Sequence, residues 1–461
     1  MTAELTRAAK RSTTRSTRGE LRGTVALVRL ALRRDRWLLP SWIAAFALIP
    51  ASSAAATAGL YPDLTARMAA ANTINATAAI VALYGRIYDP TSLGALALFK
   101  PAVFGTVAVA IVVVMLVVRH TRAEEETGRL ELVGSGVVGR AAPLTAALLV
   151  AGGACLALGM ITALALVAAG LPVAGAVAFG AGWSATGMCF AAVAAVAAQL
   201  TTAARAATGL GLMSVGVAYL LRAVGDLAMA GPGWVSWLSP IGWNQQVRAF
   251  AGERWEVLLL PLLATALLLP VSFVLRRRRD LGSGLWVDRP GPARGRLGTP
   301  WGLAWRLQRP VLLAWAVALV VLSAVLGSIA NNVASLLDSP NLAAIIAQLG
   351  GAQGLTDAFL AAETGVIGVI AAAYGIVAAT RLRAEESGGH VEVLLAGVPG
   401  RRRVAGSHAV IALGGVAGLL LAAGVAAGVG HGLAIGDPGQ VVRVAAAACA
   451  RIPAAWSSSG W

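Results

Sequence analysis

Two acidic stretches hold the residue types best suited to chemistry in this chain. The first reads R-A-E-E-E-T-G-R-L-E-L-V-G-S-G-V-V-G-R, from Arg122 to Arg140. The second reads R-A-E-E-S-G-G-H-V-E-V-L-L-A-G-V-P-G-R, from Arg383 to Arg401. Carboxylates as close as Glu124, Glu125, Glu126 and Glu131 are hard oxygen ligands of the kind a divalent cation takes. Arg122 and Arg129 offset their charge, however, and no histidine joins them. Docking is the better use. Glu124, Glu125, Gly128 and Glu131 fit a short helical start that ends in a glycine-rich break at Gly134, Gly136 and Gly139. A charged edge of this kind suits a basic groove on a partner, where opposite charges set register more than affinity. The plainer alternative is a solvated loop whose glutamates pair with neighbouring arginines. Recurrence of the pattern in two places favours docking.

Other chemistries lack their residues. A phosphate-binding loop of the GxxxxGK[ST] type needs glycine before lysine. The two lysines, Lys10 and Lys100, follow Ala9 and Phe99. Nucleotide hydrolysis through that motif is excluded, so the energy source is another chain or an ion gradient. The histidines His120, His390, His408 and His431 are scattered, with no HExxH. The cysteines Cys155, Cys189 and Cys449 lie in apolar stretches with no CxxC, so neither a disulfide framework nor a zinc site is expected. The chain reads as no enzyme in its own right, with no metal and no cofactor.

Composition says where these loops sit. The chain has 461 residues, of which 58% are hydrophobic and 13% charged, and its mean hydropathy is +0.76. A soluble fold of this length cannot bury so much apolar surface. An all-α integral membrane protein built from small, close-packing residues is expected. Windows of about 20 apolar residues fall near 37–58, 101–118, 143–168, 172–199, 206–222, 256–275, 311–329, 365–380, 404–428 and 440–455, about ten spans. Arg443 and Arg451 make the last one weak. The net charge of +16 marks a membrane side rather than a nucleic-acid partner. With the N-terminus inside, the inner segments carry 29 basic residues and the outer ones six, so the N-terminus is cytoplasmic. Residues 1–36 form a basic tail. Within it Arg22, Arg29, Arg33 and Arg36 share a helical stripe, which fits a helix lying among lipid headgroups.

The two acidic loops match at a constant offset of 261: Glu124 with Glu385, Glu125 with Glu386, Gly128 with Gly389, Glu131 with Glu392, and Arg140 with Arg401. Arg33, Arg36 and Trp42 align with Arg306, Arg309 and Trp315 at offset 273. The chain is therefore two parallel copies of one membrane unit, a plan common among transporters. The first unit covers 37–279. A cytoplasmic Arg/Gly/Pro linker with a second interfacial helix covers 280–310, and the second unit 311–461. That unit stops in its fourth span, six plus four in all, which reads as truncation or a shifted reading frame.

An N-in, six-span unit with an interfacial helix first and an E-E-x-x-G-x-x-E loop after the second span resembles the type-2 ABC export permeases. The doubled unit, with L-L-R-A-V-G-D (Leu220 to Asp226) and W-L-S-P-I-G-W (Trp237 to Trp243), is similar to the fused permeases that export polyketide antibiotics, the tetronasin type. The resemblance covers about residues 20–450. It implies a separate cytoplasmic ATPase subunit, itself a dimer, that carries ATP and magnesium. It also implies that the loops couple to that subunit through Glu124, Glu125, Glu126, Gly128, Arg129 and Glu131, and then through Glu385, Glu386, Gly389 and Glu392. Ser387 and His390 stand where the first loop has Glu126 and Arg129, so the second loop would dock differently. The implied cargo is hydrophobic drugs or antibiotics, exported across the bacterial inner membrane.

Smaller features concern the outer face. Arg222 and Asp226 are spaced for an i, i+4 ion pair. Trp234, Trp237, Trp243 and Trp255 fit an interfacial belt, and W-L-S-P-I-G-W, turning at Pro240, fits a re-entrant element. Arg222, Asp226, Trp237, Pro240 and Trp243 are thus a candidate outer gate. Gly414/Gly418 and Gly424/Gly428 are two GxxxG pairs suited to close helix contact. A proton-coupled secondary transporter is the alternative. It would need paired ionisable groups buried mid-span, and the spans near 37–58, 101–118, 143–168, 172–199 and 365–380 have none at their centres. A truncated, non-transporting membrane protein is a third reading.

Overall fold

The computed structural model describes residues 19–76, 78–130, 136, 138–226, 233–280, 283–286, 299–330, 351–387, 392 and 400–458. The described residues form helices and no strands. The chain divides into two compact units, Met1–Arg289 and Pro290–Trp461.

The first unit opens with α1 (Thr24–Arg34), which lies against a later span through Leu27, Val28 and Ala31 and leaves Val25, Leu30 and Leu32 exposed. An exposed apolar face beside a row of arginines is what a headgroup-embedded helix requires. Helix α2 (Leu38–Leu60) is the first long apolar helix. The outer loop after it folds into α3 (Leu64–Ala76) and α4 (Ala78–Tyr84), two helices that apolar windows do not reveal. Asn75 pins this loop by donating to the Ile87 carbonyl and accepting from the Ile87 amide, both at 2.9 Å.

The second crossing starts earlier than its window. Helix α5 (Leu93–Lys100) runs through a wide turn, Pro101–Gly105, into α6 (Thr106–Arg119), and a break at His120–Thr121 precedes the short α7 (Arg122–Glu126). Pro101 has no N–H to give the previous turn, so the hydrogen bonds re-space there into a π-bulge. The Ala102 carbonyl takes up a hydrogen bond from the Thr106 hydroxyl at 2.6 Å. Gly105 admits the fully buried Trp183, whose ring comes within 2.1 Å of where a Cβ would stand.

Helices α8 (Ala142–Ala168), α9 (Val173–Leu200) and α10 (Ala204–Asp226) follow. The most enclosed is α9. Gly159 and Gly180 bring α8 and α9 into backbone contact, and a Cβ on either would lie 2.4 or 2.2 Å from the other's carbonyl oxygen. Ser184 seals the crossing by donating to the Cys155 carbonyl at 2.8 Å. Small residues packing helices this closely replace the hydrophobic drive that lipid does not supply. The unit then adds α11 (Pro240–Gln246) and α12 (Leu259–Arg277), and α12 turns a wide apolar face outward.

The second unit contains α13 (Pro300–Ile329), α14 (Gly351–Ser387), α15 (Arg401–Ile435), α16 (Gln440–Cys449) and α17 (Ile452–Ser458). Gly327 and Gly430 lie against carbonyls of the facing helix, so α13 and α15 pack as tightly as the first unit's central pair. Among the described residues, nine helices are long and apolar enough to cross a membrane. The tenth window, 440–455, is instead the two short helices α16 and α17. Ten residues rise only about 15 Å, and the ring of Pro453 blocks continuation from α16. Between 299 and 329 no separate interfacial helix forms, because α13 runs on unbroken through Pro310. Part of the expected linker lies outside the described residues. The GxxxG expectation holds for one pair only. Gly424 and Gly428 press on α16, whereas a Cβ on Gly414 or Gly418 would meet no described atom within 4 Å, and Gly415 makes the close contact, to Tyr374.

Candidate functional site

The first acidic loop forms an elbow at the arginine-rich end of unit one. Gly128 sits at φ +71°, a left-handed turn that ends α7 and that only glycine adopts without strain. The three consecutive glutamates point three ways. Glu125 turns inward, its side chain 5% exposed, and receives both guanidinium NH groups of Arg279 at 2.7 and 2.8 Å. It also pairs with Arg122, which is itself buried and donates to the carbonyls of Thr201 and Ser283, the latter at 2.8 Å. Arg279 further donates to the Gln199 side chain at 2.8 Å and the Ser283 carbonyl at 3.0 Å. Glu126 reaches across to accept from the Ala204 amide at 3.0 Å, capping the amino end of α10. Glu124 pairs with Arg34 of α1 and lies 3.7 Å from Arg129.

A second link joins elbow and headgroup helix. Asp35, fully buried at the end of α1, lies 2.5 Å from His120 Nε2 and 2.9 Å from Arg119. Beyond the elbow the chain returns to the same helix: Gly139 donates to the Arg22 carbonyl at 2.8 Å and Ala141 to the Glu20 carbonyl at 3.0 Å. The elbow is therefore bonded to the inner ends of α1, α9 and α10 and to the segment after α12. Glu126, Thr127 and Arg129 remain exposed, whereas Glu125 does not. Residues 131–135, with Glu131, lie outside the described residues.

In the second unit α14 runs unbroken through 381–387, the described positions that match the break and the start of α7. Glu385 pairs one turn back with Arg381 at 3.0 Å, and Glu386 and Glu392 are exposed. Gly389 lies outside the described residues. The break at Thr121, with φ −121° and ψ −84°, is thus particular to the first elbow among the described residues.

At the other end of unit one, Arg222 and Asp226 form a buried pair at 3.2 Å. Arg222 donates to the Ala82 and Leu83 carbonyls at 2.8 and 3.1 Å, capping the last turn of α4, and Tyr219 donates to Leu83 at 3.0 Å. Ser236 donates to Asp226 at 3.3 Å. The tryptophan-rich segment makes a tight turn over Ser236–Leu238 and then enters the unit as α11. Ser239 caps α11 at the Gly242 amide (3.1 Å) and donates to the Ala218 carbonyl (2.6 Å). Pro240 opens the helix, where its missing N–H costs nothing. Trp237 and Trp243 are half-buried together, joined by a 2.5 Å bond from the Trp243 ring N–H to the Trp237 carbonyl, while Trp234 and Trp255 are exposed. Asn244 of α11 donates to Thr106 at 2.7 Å and to the Ala102 carbonyl at 3.1 Å, so α11 plugs the loosened turn after Pro101. Gln246 donates to the Tyr88 hydroxyl at 2.6 Å, and burial, aided by the Asp226 carboxylate, pushes the Tyr88 phenol up to about 12. The cavity among Tyr88, Phe99, Gln245 and Arg248 is about 50 Å³, too small for a drug-sized molecule.

Sequence reasoning missed Asp35, Gln199 and Arg279, the partners that hold the elbow. The run Arg276–Arg279 reads as a boundary marker, and nothing local to it shows that one arginine turns back to a glutamate 154 positions earlier.

Nine long apolar helices among the described residues define a multi-pass membrane protein. The family model for the C-terminal domain of the multidrug efflux system permease Rv1217c matches residues 297–461. The multidrug efflux system permease protein Rv1217c of Mycobacterium tuberculosis is 45% identical over 440 residues, covering 94% of this chain and 79% of the relative. The chain belongs to the family of multidrug efflux system permeases.

Proposed function

We propose that the chain is the membrane-spanning subunit of an ABC exporter, moving hydrophobic drugs or antibiotics outward on the power of a separate cytoplasmic ATPase, with the elbows as its docking points. One observation carries the coupling role. The Glu125–Arg279–Arg122 cluster, with Glu126 on α10, bonds the elbow to the inner ends of three spans, so a displacement of α7 is passed to α9, α10 and α12 together. The exposed Glu126, Thr127 and Arg129 are the face left for the ATPase, which would supply ATP and magnesium. In the second unit Glu386 and Glu392 take that part. Apolar cargo is supported by an apolar recess of about 500 Å³ lined by Leu156, Met160, Leu164, Val177, Met188 and Leu262, a drug-sized space. The polyketide-antibiotic likeness of the loop motifs supports the antibiotic part of this reading. The Arg222–Asp226 cluster, spent on capping α4, fits an outer brace rather than a substrate contact.

Reconstitution with the ATPase in proteoliposomes tests the proposal. Drug-stimulated ATP hydrolysis and vectorial drug transport are expected, and both fall when Arg129 is changed to Glu. Transport that continues without the ATPase and follows a proton gradient would overturn it. One residue favours that second reading. Glu363 of α14 is buried, and neither carboxylate oxygen has a hydrogen-bond partner among the described residues. Transport lost in Glu363→Gln while ATP hydrolysis persists would give it substance.

A further inference from the structure

A cavity of about 430 Å³ opens beside the elbow, lined by Glu20, Arg140, Phe273, Arg276, Arg277 and Arg279 among others. Its ion pairs are unevenly shared. Arg277 has Glu20 at 3.0 Å, and Arg279 has Glu125. Among the described residues, neither Arg140 nor Arg276 has a carboxylate within ion-pair distance. Ala141, at the amino end of α8, is also in the wall, so the helix dipole adds to the positive field. Glu20, Glu125 and Asp280 also line the cavity, so four guanidinium groups face three carboxylates. The two arginines with no carboxylate at ion-pair distance match a phosphate, which each can grip with two parallel N–H bonds.

The place in the membrane decides the source of the phosphate. Arg140 and Arg276 stand at the inner ends of α8 and α12, at headgroup depth. Phe273 brings an apolar wall to the cavity one turn deeper. From there Pro270, Ala266 and Leu262 continue as an exposed apolar stripe along the same side of α12, where an acyl chain has its natural bed. We infer that this cavity binds the headgroup phosphate of an anionic phospholipid of the inner leaflet, its chains laid along α12. Arg279 lines the same cavity and holds Glu125, so the bound phosphate competes with the elbow for one guanidinium and tunes its stiffness.

The test needs no ATPase and so fails or succeeds apart from the exporter reading. The full chain is purified and measured by native mass spectrometry and thermal melting. Phosphatidylglycerol is compared with phosphatidylcholine, and each with inorganic phosphate at equal concentration. Wild type is expected to retain phosphatidylglycerol selectively and melt later with it, and inorganic phosphate to do neither. The double variant Arg140→Gln/Arg276→Gln is expected to lose roughly tenfold to thirtyfold in retention, and the exposed neighbour Arg278→Gln to lose little. Equal retention of both lipids, unchanged retention in the double variant, or equal protection by inorganic phosphate overturns the inference. Should the double variant not fold, the wild-type headgroup comparison decides alone.

Discussion

Arg279 meets Glu125 edge to edge, both of its terminal NH groups on the two carboxylate oxygens at 2.7 and 2.8 Å, with each side chain about 95% covered. Removing one partner of so buried a pair strands the other and costs about 3–5 kcal/mol. Glu125→Gln should therefore lower the melting temperature sharply and cut the yield of monodisperse protein, since Arg122 and Arg279 both lose their counter-charge. A melting temperature within a degree or two of wild type would show that the cluster holds nothing.

The exposed side of the elbow should respond differently. Arg129 is 58% exposed and 3.7 Å from Glu124, a surface pair worth under about 1 kcal/mol. Arg129→Glu is expected to leave folding intact yet reduce ATPase capture in a pull-down by roughly tenfold. Undiminished capture, with Glu126→Lys also silent, would remove the docking role from this face.

At the outer end the prediction concerns non-additivity. Arg222→Leu leaves Asp226 buried beside bare α4 carbonyls and should destabilise by several kcal/mol, whereas Arg222→Leu/Asp226→Leu should be milder than the two single changes summed. Melting curves for the four proteins give the coupling directly. If Arg222→Leu instead abolishes transport in a protein that melts normally, a cargo contact replaces the brace.

Helix contact gives a paired prediction. Gly159→Ala sets a methyl 2.4 Å from the Gly180 carbonyl oxygen, while Gly153→Ala meets no described atom within 4 Å. The first should destabilise by about 1–3 kcal/mol, as overpacked cores do, and the second should be neutral. Equal melting temperatures would mean the α8–α9 crossing is loose.

Tyr88 makes the stability depend on alkali. Its phenol is raised from 10 to about 12 in the folded chain. A raised value favours the protonated, folded form, so this contribution is complete below pH 10 and fades as pH climbs towards 12. Tyr88→Phe should flatten that part of the alkaline unfolding curve. An unchanged curve would place the titration elsewhere.

Much of this architecture shows in the residues themselves. Apolar windows locate nine long helices to within a few residues at most ends, because lipid demands an apolar surface all round. The repeated R-A-E-E stretch locates the elbow, since its glutamates interrupt such surfaces. What escapes depends on distance along the chain or on single atoms. Arg279 and Glu125 are far apart in sequence, so their pairing has no local pattern. Of the helices in the 61–84 loop, α3 is broken up by Thr65, Arg67, Asn72, Thr73 and Asn75, and α4 is apolar but only seven residues long. Pro453 ends the last apolar window, yet an averaged hydropathy treats it as one residue among many. Gly415 rather than Gly414 touches Tyr374 because helix rotation, which small-residue spacing does not fix, chooses the face.

The wide turn after Pro101 gives the second crossing a fulcrum. Above it Asn244 clasps the Ala102 carbonyl, and below it the same rod ends in the elbow. The tryptophan-rich segment and the elbow are thus joined through one helical rod, held at its turn by Asn244.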